Sequence, residues 1–337
     1  MLSLSSRVLF RAAVCPSVST AASLPLRTYS SEPSPNIKKV GVIGMGLMGH
    51  GIAQVTAASG FQVVALDTKT EFVESGLDHI TKNVNMLAQK QVQKGKLEES
   101  QAQQSVKDTL ARITGTTSRD DLADCDLVVE AIIENIDVKK ELYSSLGALC
   151  KPGCIFATNT SSLSVTEMGA FTGRPSQMVG LHYFNPVQAM RLVEVVRTDS
   201  TSEEVFAAAF KFAGDCGKTP ISCKDTPGFV VNRLLVPYLS EALALAERGV
   251  ATVSDIDTAM RLGAGHPMGP ITLADYVGLD TTLYILDGWA ASFPEEKAFR
   301  APASLRAKVA AGKFGRKTQE GFYKWDGQKV VDVSDDL

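Results

Sequence analysis

The chain has 337 residues, 45% of them hydrophobic, with 34 basic against 37 acidic side chains and a formal net charge of −3. That length supports one large or two medium domains with full cores, and the lack of any run of 18 apolar residues excludes a transmembrane helix. A mildly acidic balance argues against nucleic acid as the main partner, because phosphate binding needs a basic face.

The first 31 residues differ from the remainder. They hold Arg7, Arg11, Arg27 and eight serines, and no acidic residue precedes Glu32. Arg11 interrupts the apolar patch that a secretory signal needs, so the segment reads as a mitochondrial transit peptide with an unstructured lead over 1–35. Without its three arginines, 31 basic residues face 37 acidic ones, a net charge of −6. Cys15 falls in this segment. Cys125, Cys150, Cys154, Cys216 and Cys223 form no CxxC pair and no His spacing suited to zinc, so they read as buried free thiols and no metal is expected.

From Lys39 a βαβ pattern begins. Val40 to Ile43 is a short β-branched run, and the loop Gly44, Met45, Gly46, Leu47, Met48, Gly49 spells G-x-G-x-x-G before a helical pattern that reaches Ala58. Gly60 ends that helix, and the apolar run from Phe61 to Leu66 closes on Asp67. The first glycine allows a tight turn, the second lets the backbone approach a pyrophosphate, and the third lets helix and strand pack closely. The unpaired amides of the helix N-terminus favour phosphate. Asp67 stands where a carboxylate accepts both ribose hydroxyls and repels a 2′-phosphate, which selects NAD over NADP. Lys69 works against that preference. His50 reads as a packing or surface residue.

Asp78 to Asp108 reads as two polar helices, in which Lys82, Lys90, Lys94 and Lys96 form either a solvated face or a basic patch for a phosphorylated ligand. Asp126 to Ile133 is a strand bracketed at its end by Glu130 and Glu134, and a helix opening near Asn135 carries Lys139 one turn in. The strand Cys154 to Ala157 runs into Thr158, Asn159, Thr160, Ser161 and Ser162, with Ser164 placed to cap the next helix. MVGLHYFNPV is a further strand ending at His182 and turned by Asn185-Pro186. Then comes LVEVV, where Glu194 sits among Leu192, Val193, Val195 and Val196. An unpaired carboxylate there costs roughly several kcal/mol. Either Glu194 faces water on an edge strand, or the two strands are neighbours and it holds the His182 ring in one tautomer and stabilises its imidazolium.

KTPISCK, ending at Lys224, reads as a last strand and hinge. Pro227-Gly228 then starts a long helix that ends at Gly249, with a kink at Pro237. Ser254 and Asp257 have the spacing of a capping box for another helix. The expected architecture is α/β, with a Rossmann-type doubly wound sheet domain over 36–223 and a smaller all-helical domain over 224–337.

Seven ordered motifs, GMGLMGHGIA, LVVEAIIEN, NTSSL, GLHYFNPV, LVEVV, KDTPGFVVNRLL and GAGHPMGP, closely resemble the mitochondrial 3-hydroxyacyl-CoA dehydrogenase family of fatty-acid β-oxidation. The resemblance covers about residues 37–325. It implies NAD as cofactor, an acyl-CoA substrate, a homodimer formed by the helical domain, a cleft between the domains as active site, and the mitochondrial matrix as location. It implies His182 as catalytic base, Glu194 as its partner, and Ser161 and Asn232 as holders of the substrate oxygens. Contacts to NAD fall on Glu134, Lys139, Ser161, Asn185 and Lys317, and contacts to coenzyme A on Asn83 and Lys90. Asn83 departs from the family's serine and His266 from its tyrosine. Two other readings stand beside this one. A dehydrogenase of the 3-hydroxyisobutyrate type needs a lysine four residues before its asparagine, where this chain has Gly228. A silent NAD-binding protein has no use for His182, Glu194 and Asn232 together.

Overall fold

The computed structural model describes residues 37–334, so the predicted transit segment lies outside the described residues. The first part of the chain builds one sheet. Its strands are β1 (Lys39–Ile43), β2 (Gln62–Leu66), β3 (Ile113–Thr116), β4 (Leu127–Glu130), β5 (Ile155–Thr158), β6 (Met178–Tyr183), β7 (Leu192–Arg197) and β8 (Thr219–Lys224). They lie in the order β3-β2-β1-β4-β5-β6-β7-β8. The chain reverses direction between β6 and β7, an antiparallel pair, whereas the other pairs are parallel. This is a Rossmann-type doubly wound sheet, in which ligands bind beyond the carboxyl ends of the strands.

Alternation along the strands makes two cores. Val40, Val42, Leu127, Val129, Ile155 and Ala157 pack on one side with α1 (Gly49–Ala58) and α6 (Glu203–Asp215). Ile43, Val128 and Phe156 pack on the other with α4 (Ile136–Leu149) and α5 (Val165–Phe171). Successive residues of a strand point to opposite faces, so such short apolar runs can only be buried on both sides. Between β2 and β3 the polar stretch forms two helices, α2 (Thr70–Gln93) and α3 (Glu99–Ala111).

The remaining chain is helical: α7 (Val231–Glu247), α8 (Val253–Gly263), α9 (Pro270–Val277), α10 (Leu279–Ser292) and α11 (Ala303–Ala310) enclose a core that includes Leu239, Leu243, Leu286, Trp289 and Phe299. An antiparallel hairpin, β9 (Tyr323–Asp326) and β10 (Lys329–Val333), is added to the expected helices, turning at Gly327 with φ +57°. Two local expectations shift. α8 is capped by Thr252, whose side chain accepts from the Asp255 amide, and not by Ser254. Asp257 caps α9 instead, accepting from the amides of Ile271 at 2.7 Å and Thr272 at 2.8 Å. Helix α7 runs through Pro237.

All five described cysteines are free, and Cys223 is only half-buried. Burial pushes the thiols of Cys125, Cys216 and Cys223 up to about 12, which leaves them protonated and unreactive. No helix among the described residues is long and apolar enough to cross a membrane, and no group of three or more His, Cys, Asp or Glu among them suits a metal.

Candidate active site

The glycine loop joins β1 to α1. Gly44 has φ +92°, and a Cβ there would meet the Ala131 carbonyl oxygen at 2.6 Å. A Cβ on Gly49 would lie 1.6 Å from the Gly44 carbonyl oxygen. Only glycine fits either position. Gly46, by contrast, faces open space, and Leu47 beside it is 67% exposed. Met48 stands at the N-cap position of α1 and Met45 is buried. Asp67 reaches back to this loop: its Oδ2 accepts from the Met45 amide at 2.7 Å and its Oδ1 from the Thr68 amide at 2.6 Å. A cavity of about 500 Å³ opens here, lined by Gly44, Gly46, Asp67, Phe72, Ile133 and Val138 among others. An open glycine face, a helix N-terminus and a carboxylate at the end of β2 around one cavity fit a dinucleotide. His50 bonds the Gly46 carbonyl through Nδ1 at 2.7 Å and stacks on His79 at 5.3 Å, a packing arrangement.

At the carboxyl end of β6 the antiparallel register sets His182 opposite Glu194. Directly opposed residues project to the same face, and His182 Nδ1 lies 2.7 Å from Glu194 Oε2. Both side chains are buried, Glu194 completely. The second carboxylate oxygen, Oε1, accepts from the backbone amides of Val230 at 3.1 Å and Val231 at 2.8 Å, at the start of α7. Glu194 therefore has a full set of partners, which removes the penalty of an isolated buried charge. On the far side of the ring, His182 Nε2 lies 3.0 Å from Ser161 Oγ. The rings of Phe184 and Phe229 flank the imidazole at 4.6 and 5.4 Å. A donor–acceptor chain thus runs Glu194–His182–Ser161 and ends at the hydroxyl of an exposed serine.

Ser161 is held by the neighbouring strand end. Its amide donates to Glu134 Oε1 at 3.0 Å, and the Thr160 hydroxyl makes a short bond to the same oxygen. Burial pushes the Glu134 carboxyl up, but the Lys139 charge and the bonds from Thr160, Lys139 and Ser161 outweigh this and hold it below its ordinary value. Asn159 locks β5 to β6 by accepting from the Tyr183 amide at 2.8 Å.

The other predicted residues are placed as follows. Asn232 is half-buried in the first turn of α7, next to the amides that hold Glu194. Asn185 is exposed just past β6. Lys139 is 1% exposed, and its ammonium bonds Glu130 and Glu134. Lys317 lies in the helical region, ion-paired with Asp280. Asn83 and Lys90, two turns apart on α2, share a helix face. Lys82 is paired with Asp78 at 2.5 Å, whereas Lys90 has no ion-pair partner among the described residues. Reading the sequence alone missed the α7 amides on Glu194 and the two aromatic rings on His182. The Gly228-Phe229 pair, with φ +73° and +52°, is the local feature that aims those amides, and a phenylalanine in that conformation is not legible from composition.

A family model described as 3-hydroxyacyl-CoA dehydrogenase, NAD-binding domain, matches residues 39–226, and the C-terminal domain model of the same family matches 228–325. The mitochondrial hydroxyacyl-coenzyme A dehydrogenase of Homo sapiens is 48% identical over 290 residues, 86% of this chain and 91% of that protein. A probable 3-hydroxybutyryl-CoA dehydrogenase of Deinococcus radiodurans is 48% identical over 85% of this chain and its own full length. Among solved structures, (S)-3-hydroxybutyryl-CoA dehydrogenase from Ralstonia eutropha superposes with a TM-score of 0.81 at 39% identity, covering 86% of this chain and 100% of that one.

Proposed function

The chain belongs to the 3-hydroxyacyl-CoA dehydrogenase family and is an NAD-dependent oxidoreductase of hydroxyacyl-CoA, and from that premise we propose that His182, backed by Glu194, is the general base that takes the substrate's hydroxyl proton. The observation that carries this reading is the Glu194–His182–Ser161 chain at 2.7 and 3.0 Å, closed at its buried end by two amides of α7. With Nδ1–H donated to Glu194, Nε2 presents its lone pair toward Ser161. A substrate hydroxyl placed beside Ser161 Oγ is then within reach of Nε2. When His182 gains the proton, Glu194 offsets the charge at the opposite ring nitrogen.

NAD, when bound at the glycine loop, supplies the acceptor for the hydride. Gly44, Met45, Gly46, Leu47, Met48, Gly49 and Asp67 would hold it, with Glu134, Lys139, Ser161, Asn185 and Lys317 as further contacts. Asn232 and Ser161 hold the substrate oxygens, which fixes the reacting carbon in a near-attack position. Asn83 and Lys90 meet the coenzyme A phosphates. The product is 3-oxoacyl-CoA, and the reaction serves fatty-acid β-oxidation in the mitochondrial matrix, reached through residues 1–35 as transit peptide. The sheet domain spans 36–223 and the helical domain 224–337. The chain acts as a homodimer through the helical domain, where Leu262 and Tyr284 are exposed at 79% and 76%.

Absorbance of NADH during incubation with 3-hydroxybutyryl-CoA and, separately, with 3-hydroxyisobutyrate tests the reading. Rapid NADH formation with the thioester alone is expected. Activity on the free acid, or on neither compound, would contradict it.

A further inference from the structure

Glu130 and Lys139 form an ion pair in the interior, 0% and 1% exposed, in which Lys139 is a proposed NAD contact and Glu130 has no part assigned in the reaction. Desolvating two charges costs about several kcal/mol each, and such a pair contributes little net stability compared with apolar side chains of the same volume. Its presence therefore asks for another explanation. Every lone pair is used. Glu130 Oε1 accepts from the Ile132 amide at 2.8 Å and from Lys139 Nζ at 2.8 Å, and Oε2 accepts from Lys139 at 3.0 Å and from the Thr158 hydroxyl at 2.8 Å. The Tyr143 hydroxyl donates to Oε2 from 3.1 Å. Burial, together with the Glu130 charge, pushes the Tyr143 hydroxyl far above its ordinary value, so it remains a donor.

From this anchor the bonds lead outward in one direction. Lys139 Nζ also lies 3.0 Å from Glu134 Oε2. That leaves Glu134 Oε1 to collect the Thr160 hydroxyl, the Ser161 amide at 3.0 Å and the Ser162 hydroxyl at 3.3 Å, so one oxygen organises the whole turn after β5. Ser161 then presents Oγ to His182 Nε2 at 3.0 Å. The same strand end also braces the glycine loop, since the Ala131 amide donates to the Ile43 carbonyl at 2.8 Å.

We propose that Glu130 is a positioning residue, which fixes Lys139 and Glu134 and through them the Thr160–Ser162 turn, so that Ser161 and the substrate hydroxyl stand in line with His182. This rests on the reading of His182 as base. Glu130 meets neither substrate nor cofactor. Exchanging one carboxylate oxygen for an amide nitrogen forces a donor against Lys139, Tyr143, Thr158 or the Ile132 amide, and the displacement passes along the chain of bonds.

The test is a double-variant cycle on the full-length enzyme, using Glu130→Gln and Ser161→Ala singly and together, with kcat, KM for 3-hydroxybutyryl-CoA and Tm measured for each. Glu130→Gln is expected to lower kcat about tenfold to a hundredfold, the scale of a small misplacement of reacting groups, with a smaller change in KM. In the Ser161→Ala background the same substitution should cost less than about threefold, because residues acting as a unit are not additive. A folded Glu130→Gln enzyme with unchanged kcat, or losses that multiply in the double variant, would overturn the proposal. If Glu130→Gln does not fold, Tyr143→Phe removes one bond and keeps the shape. It should then lower kcat a few-fold in the wild-type background only, and an equal loss in both backgrounds would count against Glu130. Full turnover in His182→Gln would instead remove the base reading itself, whichever way the cycle came out.

Discussion

Glu194 divides its two oxygens between an imidazole and a helix N-terminus, and all of these partners donate to it. Replacing it by glutamine puts an NH₂ group against either the Nδ1–H or the two α7 amides, so one set of bonds must break. Glu194→Gln should lower kcat by about two to four orders of magnitude while NAD affinity, measured by quenching of NADH fluorescence, stays within a few-fold. Unchanged kcat would separate the pair from the reaction. Glu134 gives a prediction in pH. Its carboxyl ionises below its ordinary value in the folded state, so its stabilising contribution is present above the unfolded value and is lost as pH falls through the folded one. Glu134→Gln should therefore lower Tm near neutrality, with the difference from wild type shrinking as pH is lowered into the carboxylate range. A constant difference would mean that packing alone is at work. At this scale the sequence was informative where partners are close along one sheet. His182 and Glu194 are 12 residues apart on consecutive strands, and their pairing follows from register. The Val231 amide, 37 residues beyond Glu194, is reached only through a turn in an unusual conformation, and no periodicity signals it.

The element that joins the two halves of the site is the turn before α7. Gly228 has φ +73°, and a Cβ on it would lie 2.4 Å from the Trp289 ring. Phe229 follows at φ +52°, with its side chain in the core that faces α4 and α5. Gly228→Ala combines a left-handed backbone, costing about 1–2 kcal/mol, with an overpacked contact of about 1–3 kcal/mol. It should lower Tm by several degrees and lower kcat as well, since the α7 amides shift away from Glu194. Gly214→Ala is the matching control. It lies in the last turn of α6 with open space at its Cβ, and should leave stability unchanged or raise it by up to about 1 kcal/mol. Equal effects of the two substitutions would remove the argument from the turn. The βαβ unit was the most legible part of the chain, because glycine spacing, a β-branched run and a terminal aspartate each carry a separate steric or electrostatic reason. Helix starts were less so. Ser254 has the right spacing for a cap, but Thr252 takes that place, and Asp257 is drawn instead to the amides of α9 by tertiary packing. The β9–β10 hairpin ends in an exposed strand with no alternating pattern, which leaves little trace in sequence.

Across the whole molecule, the proposed Lys90 contact would distinguish acyl-CoA from NAD by charge. The chain is acidic overall, yet the exposed face of α2 carries Lys90 without an ion-pair partner among the described residues, whereas Lys82 is neutralised by Asp78. Lys90→Ala should raise KM for acyl-CoA at low salt, with the difference fading as ionic strength rises and the Debye length falls toward about 8 Å and below. KM for NAD should not move. Equal effects on both ligands would take Lys90 out of the account.

The most direct measurement is steady-state turnover of 3-hydroxybutyryl-CoA by His182→Gln, paired with NAD binding to the same variant. Loss of kcat by at least about two orders of magnitude, with NAD affinity and Tm close to wild type, is the predicted result. Turnover within a few-fold of wild type in a folded, NAD-binding His182→Gln enzyme would contradict it.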